Sequence, residues 1–311
     1  MKAFASAALL LLITAATAWG QPSTLVSLFD FGTSVRATGM GGAFAGLADD
    51  EQALIYNPAG LALLDQWYAH ATIQGHLSQS SLSALMGALP SLGAGLQFFG
   101  VGGLVQRDEQ DEEGAPLNYG QFSLLTAGAV RLGSFIGVPA LKSLGLGLRF
   151  KFLSVNTLAE GSGATFALDP SILWELGKLS LGPVSVQSLR LGATMDNLGP
   201  GITYGDGTQE SLGLGARLGA SVVIQDVTTV GLELNTADGL HAGAEYRLPV
   251  PKVGTLALRT GFHTGNGFTF TLGLGFRYQW VRIDYAFASH SQLGGSHQLA
   301  VAAAFQLGKL F

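Results

Sequence analysis

Residues able to do covalent or metal chemistry are few in this chain of 311 residues. There are six histidines and no cysteine. Without Cys there is no thiolate ligand, no disulfide framework and no Cys nucleophile. The histidines are scattered. His290 and His297 flank one turn, but two imidazoles without a carboxylate at ligand spacing read as solvated loop residues, so no metal and no cofactor are expected. The strings GxSxG, HExxH and the P-loop are absent. Gly145-Leu146-Gly147 and Gly273-Leu274-Gly275 open like a dinucleotide fingerprint but lack its third Gly and sit inside strand alternation. Asp108, Glu109, Asp111, Glu112 and Glu113 form an acidic loop. Solvation is its reading, with a weak divalent-ion or lipopolysaccharide-edge role as the alternative. Catalysis is not expected.

The remaining charges are spaced for strands. Only 12% of the chain is charged, 48% is apolar, and Gly occurs 45 times. The net charge of -5 and the lack of a basic run exclude a nucleic-acid partner. Apolar residues recur at every second position, the period of a strand. From 268 to 278 one face carries Phe268, Phe270, Leu272, Leu274, Phe276 and Tyr278; the other carries Thr269, Thr271, Gly273, Gly275 and Arg277. Residues 144–152, 211–220 and 240–248 repeat the pattern, with Leu212 and Leu214 placed on the apolar face. One almost wholly apolar face opposite a face of Gly and single charges is the lipid-out, lumen-in pattern of an outer-membrane barrel. The polar parity places Arg149, Lys151, Arg217, Arg247, Arg259, Arg277 and Arg282 in the lumen, beside Asp169, Glu175, Glu233, Glu245 and Asp284.

The alternation predicts an all-β fold: a 14-stranded antiparallel transmembrane barrel with strands at 66–77, 79–88, 93–103, 118–132, 141–155, 164–179, 185–197, 208–223, 227–235, 239–248, 253–264, 268–279, 280–290 and 296–310. The longest connections, 104–117, 156–163, 198–207 and 291–295, then all lie on the outer side, and most inner turns are short, 133–140 excepted. Residues 1–20, MKAFASAALLLLITAATAWG, read as a cleaved signal peptide whose positive residue is Lys2. The terminal Phe311 resembles the C-terminal recognition signal of outer-membrane barrels, although Lys309 departs from its apolar spacing.

Residues 21–65 lie between the signal and the strands, and 66–311 make the barrel. The segment holds Gly39, Met40, Gly41, Gly42 and Phe44, the acids Asp49 and Asp50, and then Tyr56-Asn57-Pro58-Ala59-Gly60-Leu61. Its glycines permit close backbone approach. Asp49 and Asp50 suit the cap of a short helix ending near Tyr56, and Pro58 biases Asn57 away from helical geometry. So short a segment cannot bury its own core and needs a wall. The expectation is a luminal hatch with one or two short helices, filling the lumen over 30–61. The wall charges either pair with one another or hold its acidic end.

The string GMGGAF…DD…YNPAGL resembles the N-terminal hatch of the FadL-type outer-membrane family. It is most similar to the PorV/PorQ branch, as are Asn197-Leu198-Gly199-Pro200 and the ending Asp284-Tyr285-Ala286-Phe287, Leu293-Gly294 and His297. The resemblance covers the mature chain and implies a 14-stranded barrel with its N-terminal segment inside. It implies one of two functions in the cell outer membrane. One is docking or shuttling of exported proteins, with a type IX-like secretion translocon or a secreted cargo as partner. The other is FadL-like passive passage of small hydrophobic molecules. Either way the barrel is surrounded by outer-membrane lipid.

Overall fold

Alternation becomes two chemically distinct surfaces when the strands close into a ring. The computed structural model describes residues 28–30, 32–76, 80–107, 110–157, 161–181, 184–265, 267–290 and 294–306. The expected signal peptide, Asp108 and Glu109 of the acidic loop, and Phe311 lie outside the described residues. Fourteen strands form the wall: β1 Trp67–His76, β2 Ser80–Leu89, β3 Leu92–Arg107, β4 Glu113–Arg131, β5 Leu144–Asn156, β6 Ser162–Leu181, β7 Val184–Asp196, β8 Gly215–Ile224, β9 Thr228–Asn235, β10 Gly239–Val250, β11 Gly254–His263, β12 Thr269–Tyr278, β13 Val281–His290 and β14 Gly294–Phe305. Each pairs antiparallel with the next, and β1 pairs with β14 from Trp67↔Phe305 to Gly75↔His297, which closes the barrel. Closure leaves no edge strand whose backbone would face hydrocarbon unpaired.

On β12, Thr269 and Thr271 are buried inside while Phe270, Leu272, Leu274 and Phe276 are exposed outside. Aromatic side chains gather where the wall ends: Trp67, Tyr246, Tyr278 and Trp280 are exposed near the tight turns, as expected for an interfacial girdle. Among the described tight turns, 90–91, 225–227, 251–253 and 279–280 are two or three residues long.

Two expected boundaries are corrected. The outer loop placed at 104–117 is mostly a hairpin extension of β3 and β4, held where Arg107 bonds Asp111 and Glu113. The eighth strand begins at Gly215 rather than 208. The residues before it make a small hairpin, Ile202–Tyr204 with Gln209–Glu210, that pairs with the outer part of β6 through Gly163↔Tyr204 and Ala164↔Thr203. Leu212 is therefore buried with the lumen side and is not on the lipid face. Alternation ran on through the loop in sequence, but the chain there leaves the wall.

The N-terminal segment threads the lumen. A 3-10 turn, Leu28–Asp30, lies at the outer end. Helix α1, Val35–Gly39, follows, capped by Ser34 accepting from the Ala37 amide. Helix α2, Ala53–Tyr56, and a 3-10 turn, Pro58–Leu63, lead down to β1. The N-cap of α2 is Gln52, not an acid; Asp50 instead accepts from the Gln52 amide just before it. Asn57 is extended, and its side chain accepts from the Ala59 amide.

Candidate functional site

The hatch is seated backbone against backbone. Gly41 and Gly42 have φ of +66° and +83°, which side-chain-bearing residues rarely adopt. A Cβ on Gly41 would strike the β11 backbone at Phe262, and one on Gly42 would strike the His241 ring. The wall reciprocates. Gly243 and Gly261 face Met40 and Gly41, Gly192 and Gly219 face Ala45 and Gly46, and Gly147 faces Ala59; an added Cβ at any of them would overlap the hatch main chain. These lumen glycines, including Gly147 of one false dinucleotide string, are the floor on which the hatch lies. Met40, Phe44, Tyr56 and Leu61 fill the apolar gaps between hatch and wall. Phe44 and Tyr56 meet edge to face at 5.5 Å, and Gly60 is so close to Ala48 that it too has no room for a Cβ. Pro58 opens the 3-10 turn that leads to the first strand.

Charge fixes the same segment from both sides. Arg36 of the hatch bonds its own Asp49 and Asp50 at 2.6 and 2.8 Å and reaches Glu245 on β10 at 2.9 Å. Arg259 joins Glu245 to Asp284 at 2.7 and 2.8 Å. Arg282 bonds Asp284, Asp50 and Glu51 at 2.5, 3.1 and 2.6 Å, and His70 Nδ1 lies 2.9 Å from Glu51. Wall arginine thus meets hatch acid and hatch arginine meets wall acid. Burial opposes ionisation of Asp49, but Arg36 beside it holds its carboxyl below the usual range. Burial and the neighbouring Glu51 push the Asp50 carboxyl up. Burial also opposes ionisation of Glu51, and Arg282 and His70 hold it down.

A second cluster lies across the lumen. Arg149 bonds Asp169 and Asp196 and donates to the carbonyls of Leu54 and Ile55. Arg217 bonds Asp196 at 2.8 Å, its guanidinium 5.5 Å from the Tyr56 ring centre. Glu233 accepts the amides of Phe44 and Ala45 at 2.9 and 2.7 Å. His241 lies between two acceptors, the Gly41 carbonyl at 2.6 Å and Asp238 at 2.7 Å. Donation to both requires both ring nitrogens to carry hydrogen. Asn57 Nδ2 donates to the carbonyls of Ala45 and Ile172. Arg247 is half-exposed, 3.7 Å from Glu245, and Arg277 is exposed near the tight turns, so neither joins the buried clusters as Arg259 and Arg282 do.

The outer end of the lumen differs in kind. Leu28 and Phe29 are buried among Leu82, Leu153, Val155, Ile202, Tyr204 and Leu212, with Phe99 and Tyr119 alongside. Lys151, held by Asp169 at 3.0 Å and Asn197 at 2.5 Å, places its ammonium 4.4 Å from the Phe29 ring centre. Arg190 bonds Glu175 and donates to the Leu47 carbonyl. Arg36, His70, Arg190, Asp196 and His241 are partners that the candidate residues from sequence did not include, whereas Glu51 belongs to the acidic cluster expected with Asp49 and Asp50. Inward parity marks His70, Arg190, Asp196 and His241, but nothing local marks Arg36 as the centre of a network.

No protein-family model matches the sequence, and no curated protein does. Solved structures do. The chain is similar to the toluene transporter TodX of Pseudomonas putida, with a TM-score of 0.55, 12% identity, and 90% of this chain and 99% of that one covered. It is similar to the CymD monoaromatic hydrocarbon channel, with a TM-score of 0.50, 12% identity and 88% and 96% covered. A Pseudomonas aeruginosa FadL homologue gives a TM-score of 0.46 at 11% identity over 92% and 99%. The chain has the fold of the FadL-type outer-membrane channels. It is a closed β-barrel with its N-terminal segment inside. The two similarities of highest TM-score here are to channels, not enzymes. None of the three is to a PorV/PorQ barrel or a secretion component, so the branch expected from the motifs is not supported, nor are its secretion partners.

Proposed function

We propose that this barrel admits small hydrophobic molecules, single aromatic rings among them, across the outer membrane, as the FadL-type fold suggests. The observation that carries the reading is Phe29. Its ring occupies an apolar chamber at the outer end of the lumen and faces the Lys151 ammonium at 4.4 Å. A cation over an aromatic face is attracted by the ring quadrupole. A chamber that accepts this ring from the chain's own hatch has the shape and electrostatics to accept a free one. The solute competes with Phe29 for the chamber, and the hatch below keeps ions and water from following. We propose that residues 30–61 act as this plug. TodX and CymD bear the names of a toluene transporter and a monoaromatic hydrocarbon channel, which agrees with the reading.

The test is uptake of radiolabelled toluene by cells or vesicles containing the purified barrel. Saturable uptake above barrel-free controls is expected, with half-saturation altered in Phe29→Ala. Uptake no faster than the control overturns the reading. Co-purification of an exported protein, with no solute uptake, would favour the secretion role instead.

A further inference from the structure

Among the described tight-turn connections, the one from β4 to β5 stands apart. It runs from 132 to 143, where its neighbours need two or three residues. Its sequence, Leu132-Gly133-Ser134-Phe135-Ile136-Gly137-Val138-Pro139-Ala140-Leu141-Lys142-Ser143, has no acid. Two 3-10 turns, Leu132–Ser134 and Pro139–Leu141, shape it into a finger. The Phe135 and Ile136 amides both donate to Leu132 O, and the Leu141 amide to Val138 O. Its neck is narrow: Gly133 packs on the Lys142 backbone with no room for a Cβ. Its base is tied to β6, where the Glu175 amide donates to Ser143 O and Ser143 Oγ donates to Glu175 O.

The finger presents apolar side chains with nothing over them. Phe135 is 75% exposed, Ile136 40% and Val138 46%. Val130 and Leu146, paired residues of the flanking strands, are exposed as well. Lys142 at the neck is exposed, as is Lys178 on β6. These side chains sit on the turn that joins β4 to β5 at the end of the wall, a placement that suits insertion into a soft medium. Apolar side chains beside cations, at the level of a bilayer surface, match an anionic lipid interface.

We propose that residues 132–143 form a lipid anchor. Phe135, Ile136 and Val138 enter the boundary between acyl chains and headgroups on the tight-turn side, which is the periplasmic leaflet in outer-membrane barrels. Lys142 binds a lipid phosphate there. The partner is anionic phospholipid, and the anchor stands whether or not the barrel carries hydrocarbons.

The chain has no Cys, so one introduced thiol can be labelled alone. Ile136→Cys and, as an outer-loop control, Asp206→Cys are labelled with an environment-sensitive dye in the full chain. Folding is confirmed by heat modifiability. Both are placed in vesicles of phosphatidylethanolamine with phosphatidylglycerol. The label at 136 should be quenched by lipids bearing a nitroxide high on the acyl chain, and its iodide quenching should be several-fold weaker than at 206. Adding Lys142→Glu should reduce the lipid quenching in these vesicles but not in zwitterionic ones. A label at 136 as open to iodide as that at 206 overturns the anchor. So does one shielded only when periplasmic extract is added, which would mark a protein partner. Lipid quenching unaffected by Lys142→Glu overturns the phosphate contact.

Discussion

The two ends of the hatch are held by opposite means. From α1 to the 3-10 turn before β1, the segment is fixed by glycine-to-backbone contact and by ion pairs that cross the lumen in both directions. At the outer end, the side chains of Leu28 and Phe29 lie among apolar side chains beside the Lys151 ammonium, and the Leu28 amide donates to Gln121 Oε1. The first kind of contact is directional and admits one arrangement. The second is nearly indifferent to what apolar group fills the space. On the proposed function, such a barrel exchanges an occupant at its outer end while its inner half stays shut.

Removing the inner half should have the largest effect. Deleting residues 30–61 should leave an assembled barrel with much larger ion conductance in planar bilayers. If the folded deletion conducts no more than the parent, the segment is not a plug, and its motif must act elsewhere.

A smaller loss should follow from Arg36→Met. It leaves Asp49, Asp50 and Glu245 facing one another without their shared cation, and stranding buried charge costs about 3–5 kcal/mol. Protease cutting within 36–52 should rise steeply while the barrel still shows heat-modifiable migration. An unchanged digestion pattern would mean that the glycine seat alone holds the segment. Reversing Asp49 and Asp50 together to Lys should loosen it in the same assay.

The neighbouring acids Asp49 and Asp50 are held in opposite directions. Asp49, held low, supports seating above the ordinary carboxylate value near 3.8, and that support fades as pH falls through its lower seated value. Asp50, held high, works the other way: between its raised value and 3.8, falling pH favours the seated form. Asp49→Asn should therefore raise amide exchange of the hatch at pH 7, and Asp50→Asn should raise it less or lower it. Equal effects would show that the two carboxyls share one environment.

The smallest effect on conductance should come from Phe29→Ala. It empties part of the outer chamber without touching the seat. Ion conductance should stay within error of the parent while toluene uptake changes. A leak as large as that of the 30–61 deletion would remove the distinction between the two ends.

Strand period is a local property, and it determined most of this molecule. Phe268 to Tyr278 declares its lipid face in eleven residues, because adjacent side chains on a strand must point to opposite sides. Closure into fourteen strands follows from the number of such runs and the need to leave no edge in hydrocarbon. The hatch was legible too, from a glycine-rich string too short to make a core. Partners across the lumen were not. Arg36 is tied to Glu245, 209 residues away, and Arg282 to Glu51, 231 residues away, and no period links such positions. Gly243 and Gly261 read as small residues in a wall, and only the threaded chain makes them a seat. Leu212 kept the alternation of a strand, yet the tertiary structure turned it inward with Leu28. Pattern fixes which way a side chain points along a strand. What stands opposite it is decided only when the ring has closed around the hatch.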